Sequence, residues 1–395
     1  MTPLVKAEQA VLGAVFSAPS QLDRLAPWLR PEHFSRPVHA ALYAAMLKLR
    51  TEGHPALKAP SGGPVPLAWL TDTLTEASKD TRGLTAPLPH QLVSACPNAM
   101  HAPVYGRMVL EGAIHRSVSR HATRLHQAAR TDALHRGVQE SIHHAQILSE
   151  VLADLARRWG TEPRAMQPPS PPAVAPEPHQ PVDELLLADE EFLLGSLSAR
   201  PHQLRDIVGW LRPDDFADPG HQQLYHSLGA LHHRGEPIDQ LTVLWETQRR
   251  GALCDGTLNA ERVLRICDPL AVDGAAEHFG EQVLRASLVC TAAASARHVR
   301  ALADEESLAP GQLIGYALHA LGPLDEVHRR WRIASGAEPE PPHSARSPGT
   351  TPPAGRSDAA RSRSRQYDAV TASSSTPTAT SPAARPGRPT HRSPT

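Results

Sequence analysis

The chain has 395 residues, room for two or three domains, and its 40 lysines and arginines nearly cancel its 41 aspartates and glutamates. No apolar run reaches the length of a membrane span, and the stretch 11–16 behind Lys6 and Glu8 is too brief for a secretory signal, so a cytoplasmic protein is expected. Four cysteines, Cys96, Cys254, Cys267 and Cys290, form no CxxC pair, which argues against a zinc site or a disulfide framework and predicts buried reduced thiols.

A first helix is predicted over residues 5–16, with Val11, Leu12 and Val15 on one face. A second, short one starts at Pro19 and carries Leu22, Leu25 and Leu29. Arg30 and Pro31 break it, and the turn that follows points Phe34 inward. The next helix has the clearest period: Val38, Leu42, Met46 and Leu49, closed by Gly53 and Pro55. A Pro/Gly loop at 58–66 leads to a helix with Leu67, Leu70 and Leu74. Two long helices are predicted over 104–129 and 132–159, with Asp132 as N-cap of the second.

The pattern then repeats. Shifted by 182 positions, residues 8–55 align with 190–237 without a gap, and 18 of the 48 pairs are identical. WLRPEHFSRPVHAALY at 28–43 returns as WLRPDDFADPGHQQLY at 210–225. The matched positions include Gly13 with Gly195, Trp28 with Trp210, Pro31 with Pro213, Phe34 with Phe216, His39 with His221 and Tyr43 with Tyr225. A shift of 174 pairs Tyr105 and Gly106 with Phe279 and Gly280, and a shift of 172 pairs Arg157, Arg158 and Trp159 with Arg329, Arg330 and Trp331. The second hairpin is predicted over 277–303 and 310–331, with Ser307 as a cap. The repeat is domain-sized rather than solenoid-sized. With no sustained period-two alternation, the fold class is all-α: two tandem helical domains, each a small globule followed by a long helical hairpin. The expected bounds are 1–160 and 184–334 for the domains. Between them, 161–183 is a linker whose stretch 161–182 holds eight prolines, and 335–395 is a disordered tail rich in Pro, Ser, Thr and Arg.

In order and spacing these motifs resemble the N-terminal domain of DnaB-type replicative DNA helicases. Repeat one carries the family's opening AEQAVLG, then RPEHF, then RPVHxxLY with a closing GxP, and a long helix led by Tyr105; repeat two keeps the order with erosion. The resemblance implies an all-helical globule and hairpin that dimerises, forms a collar on the helicase ring and contacts primase. It also implies a following motor that binds ATP through GxxxxGK[ST]. No Gly-Lys dipeptide occurs in this sequence, and no lysine lies beyond position 79. The chain is therefore read as no enzyme.

Candidate sites follow from the same residues. The Trp28, Pro31, Phe34, His39 and Tyr43 set, with Trp210, Pro213, Phe216, His221 and Tyr225, is read as a packed corner of each globule, since Trp, Phe and Tyr hold the largest apolar areas. His39 and His221 are read as structural, with no carboxylate or nucleophile recurring beside both. Trp159 with Arg158, and Trp331 with Arg330, close the hairpins as interaction candidates, the alternative being a helix end folded back on its own hairpin. Arg116, Arg120 and Arg124, at four-residue steps, are candidates for tracking phosphates. No catalytic, cofactor-binding or metal-ligating set is read. The expected function is a non-catalytic interaction protein of DNA replication that binds or mimics helicase or primase subunits, self-associating through its hairpins or pairing internally as a pseudo-dimer. The alternatives are a DNA-binding accessory protein using the arginine stripe and the tail, and a helicase subunit whose ATPase is on a separate chain.

Overall fold

A computed structural model describes residues 2–58, 67–79, 81–160, 162–169, 183–254, 256–268 and 275–337. Among them there is no strand, and fourteen α-helices are interspersed with six short 3-10 turns. The predicted loop at 58–66 lies almost wholly outside the described residues, as do most of the linker and all but the start of the tail.

The first globule comprises α1 (Pro3–Ser17), α2 (Leu22–Leu25), α3 (Pro37–Thr51), α4 (Leu67–Ser78) and α5 (Leu88–Ala95). Its core gathers Val11, Leu12, Phe16, Leu25, Tyr43, Met46 and Trp69. The second repeats the plan with α8 (Glu184–Ala199), α9 (Leu204–Ile207), α10 (Pro219–Arg234), α11 (Gln240–Arg249) and α12 (Ala260–Ile266). Each leads into a hairpin, α6 (Ala102–His135) with α7 (Gln139–Trp159), and α13 (Ala276–Asp304) with α14 (Pro310–Ala334).

The hairpins pack on each other. α6 lies along α13 and α7 along α14, so the two repeats meet in a four-helix bundle within one chain. One continuous core runs from Val118, Leu125, Leu148 and Leu152 of the first hairpin into Leu288, Val299, Leu313 and Leu321 of the second, and on into the second globule. The first globule keeps a separate core, joined by Ala102 and Val109 at the start of α6. α6 therefore serves two cores, which accounts for its length.

Two caps differ from expectation. Asp132 does not begin α7 but lies in the last turn of α6, where its buried carboxylate accepts from Ser141 N at 2.7 Å in the first turn of α7. It thus satisfies a free amide of the second helix from the end of the first. Ser307 does not cap α14, whose N-cap is Ala309; its hydroxyl donates to Glu305 at 2.6 Å instead, and the Gln312 side chain accepts from Ala309 N. Part of the predicted linker is pinned rather than free: Met166 N donates to Gly315 O on α14 at 2.9 Å. A Cβ at Gly315 would lie 3.0 Å from Met166 Sδ and 3.1 Å from Arg164 O, so glycine permits that approach.

Candidate interaction site at the corners and hairpins

Each corner is assembled in the same way. Pro31 and Pro213 open 3-10 turns, Pro31–His33 and Pro213–Asp215, because proline at the first position gives up no needed N–H. Phe34 then packs tilted against Tyr43, and Phe216 against Tyr225, with ring centroids 5.0 Å apart in both. The tyrosine hydroxyls donate back to Leu29 O and Leu211 O. The Trp28 ring lies on Gly106 of α6 and the Trp210 ring on Gly280 of α13; a Cβ on either glycine would stand 2.7 Å from a ring carbon. Gly13 and Gly195 are buried within α1 and α8.

Beneath each corner sits a buried carboxylate. His39 Nδ1 lies 2.7 Å from Glu8 Oε2, and His221 Nδ1 lies 2.6 Å from Glu190 Oε2. The reading that no carboxylate recurs beside both histidines is corrected: it arrives from the first helix of each globule, 31 residues upstream. Ser35 N also donates to Glu8, and Ala217 N and Asp218 N to Glu190. Burial by itself would raise the Glu8 carboxyl, but the hydrogen bonds from His39 and Ser35 outweigh it and hold the group below its ordinary value. These contacts tie α1 to α3 and α8 to α10; the pairing is structural.

The two hairpin ends differ. Arg330 is buried, forms an ion pair with Asp215, and donates to Trp210 O at 3.0 Å, fastening α14 to the second corner. Arg158, its counterpart, is 61% exposed, and among the described residues it pairs along its own helix, with Asp154 at 2.8 Å. The position matching Asp215 is His33, which offers no carboxylate. Trp159 and Trp331 are half-buried against the bundle core rather than exposed, and Trp159 lies under the Arg107 guanidinium of α6, 5.6 Å from its ring centroid. Both helix ends are thus folded back on the bundle.

The arginine stripe is not one open row. Arg120 and Arg124 are exposed, while Arg116 is half-buried and donates from Nη2 to His33 O at 2.5 Å. Beside it, a groove of about 770 Å³ runs between the start of α1, the middle of α6 and the turn joining α13 to α14. Its floor includes His115, whose two ring nitrogens face Ala303 O at 2.9 Å and Leu308 O at 3.0 Å and tie one repeat to the other's hairpin turn.

The family model described as DnaB-like helicase N-terminal domain matches residues 2–111 and 184–283, just over half of the chain. The chain belongs to that family. Similar curated proteins are the replicative DNA helicase DnaB of Mycobacterium leprae, 40% identical over 17% of this chain and 11% of that protein, and that of Geobacillus stearothermophilus, 34% identical over 31% and 25%. The chain thus spans at most about a quarter of the length of these relatives. A solved N-terminal domain of DnaB helicase from Mycobacterium tuberculosis is 29% identical, with 34% of this chain covered, 94% of that one, and a TM-score of 0.28.

Within this DnaB-like pair, sequence reasoning missed the surface of α11. Leu241 and Trp245 are 74% and 61% exposed one turn apart, beside a hollow of about 320 Å³. The matching stretch of the first domain, α4, instead buries Trp69, which donates to Val15 O. The thiols also correct the sequence reading. Cys267 is buried, but Cys254 and Cys290 are exposed and Cys96 is half-buried. Among the described residues no cluster of His, Cys, Asp or Glu is placed to hold a metal ion, and no helix is long and apolar enough to cross a membrane.

Proposed function

We propose that the chain is a non-catalytic interaction protein of DNA replication, in which two collar domains on one polypeptide bind, or stand in for, replicative helicase or primase subunits. The observation that carries this reading is the bundle of α6, α7, α13 and α14: one chain supplies both halves of a hairpin pairing that the family resemblance assigns to two subunits. With that pairing met internally, the globules remain as the surfaces for other proteins. Three copies would bring six collar-like modules, the number in a hexameric ring.

Tagged full-length protein, recovered from its own cells at low salt, is expected to bring down a replicative helicase or a primase. Recovery without either partner, or ATP turnover by the purified chain alone, would sink the reading. Native mass measurement of the isolated protein then separates a single pseudo-dimeric chain from a three-chain assembly.

A further inference from the structure

We propose that the first repeat carries an open carboxylate site, formed by Arg116, Arg158 and Arg30 around His33, which receives an aspartate or glutamate side chain from a protein partner. The second repeat displays the same site filled. There the Asp215 carboxylate accepts from Arg330 Nη2 at 3.0 Å, from Ser287 Oγ at 2.7 Å and from Arg212 N at 2.7 Å. It is almost fully buried and held by donors from three parts of the chain, the arrangement in which charge-assisted hydrogen bonds are strongest.

At the first repeat two of the three donors have counterparts, Ser287 has none, and the carboxylate is replaced by an imidazole. The 3-10 turn is the same, and Arg30 N donates to His33 Nδ1 at 3.1 Å, just as Arg212 N serves Asp215. Arg158 stands at the place of Arg330. Ala113 replaces Ser287, but one turn along α6 Arg116 replaces Cys290, so a guanidinium is added where a hydroxyl is lost. Arg116 gives Nη2 to the His33 carbonyl, while its Nη1 is buried and has no hydrogen-bond partner among the described residues. An unmade bond on a buried cationic donor is costly, so a partner's carboxylate that draws the half-buried Arg116 side chain outward would restore it.

The charges around His33 agree. Burial lowers the imidazole below its ordinary value, and Arg30, Arg158 and Arg116 lower it further against the single opposing charge of Glu32. The other acids at the site are Glu8, whose charge acts on Arg116 but whose oxygens already accept from Ser35 and His39, and Asp154, 39% exposed, whose pairs with the exposed Arg157 and Arg158 are of the kind that contributes little and exchanges readily. An arginine fork matches a carboxylate with two parallel hydrogen bonds, so the incoming group has a defined pose. The site is independent of which protein offers the acid, and would survive failure to recover a helicase or primase.

The test uses the full chain, a fluorescent peptide rich in aspartate and glutamate, and single-stranded oligothymidylate, each titrated by anisotropy at about 50 mM salt, where surface charges remain only partly screened. Wild-type protein is expected to bind the peptide. His33→Asp places the missing carboxylate inside the site and is expected to weaken peptide binding at least about tenfold, with Arg158→Ala weakening it similarly. Arg158 is exposed, so that variant should keep the wild-type helical signal and melting temperature. His33→Asn, which removes the ring without adding charge, should bind as wild type does. The proposal is overturned if wild-type protein ignores the peptide, if it binds the oligonucleotide and not the peptide, or if both His33→Asp and Arg158→Ala bind the peptide unchanged.

Discussion

His33 and Asp215 occupy one position of the same turn, and from that difference the two halves of the chain diverge in how they are held. In the second repeat the turn offers a carboxylate, Arg330 closes on it, and globule and hairpin share one core. In the first the turn offers an imidazole and Arg158 stays at the surface; the globule keeps its own core and meets the hairpin mainly along α6. A repeat therefore conserves apolar packing more readily than it conserves the ion pairs that join packed units. Trp28 and Trp210 sit on equivalent glycines, while the charge that would fasten each hairpin end is present once.

The largest expected effect breaks that contrast directly. Arg330→Ala leaves Asp215 buried without its cation and should cost about 3–5 kcal/mol in urea unfolding followed by circular dichroism. Arg158→Ala, at the matching place, should change the midpoint by under about 0.5 kcal/mol. Equal losses in the two variants would mean that the asymmetry is not energetic.

Next come the features the repeats share. Glu8→Gln takes a buried carboxylate from two donors and Glu190→Gln from three, and each should cost about 2–3 kcal/mol. For Glu8 the sign with pH is fixed: its folded-state value is depressed, so its contribution is present above the ordinary value of 4.5 and is lost as pH falls through the lower folded value. The urea midpoint of wild-type protein should therefore drop as pH goes below 4.5, and Glu8→Gln should flatten that drop. A smaller effect is expected at the corners. Gly106→Ala and Gly280→Ala push a methyl into the Trp28 or Trp210 ring, and overpacking should exceed the gain in helix propensity to leave a loss of about 1–2 kcal/mol in each, similar in both repeats. The smallest effect separates the thiols without changing stability. Cys254 and Cys290 should react with a maleimide quickly at neutral pH, while Cys267, buried and pushed up to about 11, should react only on unfolding; mass spectrometry over time distinguishes them.

Much of the frame was legible in the sequence because the sequence states it twice. The helix of Val38, Leu42, Met46 and Leu49, the prolines opening the turns and the tandem hairpins all rest on spacing that recurs. α5 and α12, at 8 and 7 residues, are too short to show a period. Asp132 and Ser307 have the chemistry of caps, but a cap is defined by where the backbone turns, and α6 and α13 run on until Arg136 and Glu305. The carboxylates under the histidines were visible as the identical pair Glu8 and Glu190; a search for neighbours in sequence overlooks a contact across 31 residues. Which hairpin an apolar stripe packs on is not written in the stripe at all, since Val118 and Leu125 demand burial without naming the partner.

The bundle has a further consequence for how the molecule behaves at low abundance. A pairing between separate subunits dissolves on dilution, whereas halves joined by one backbone face each other at a fixed local concentration. Arg164 and Met166, just past the first hairpin, already lie against Gly315 of α14. A few copies per cell would therefore carry fully formed four-helix bundles, with no second chain needed to complete them.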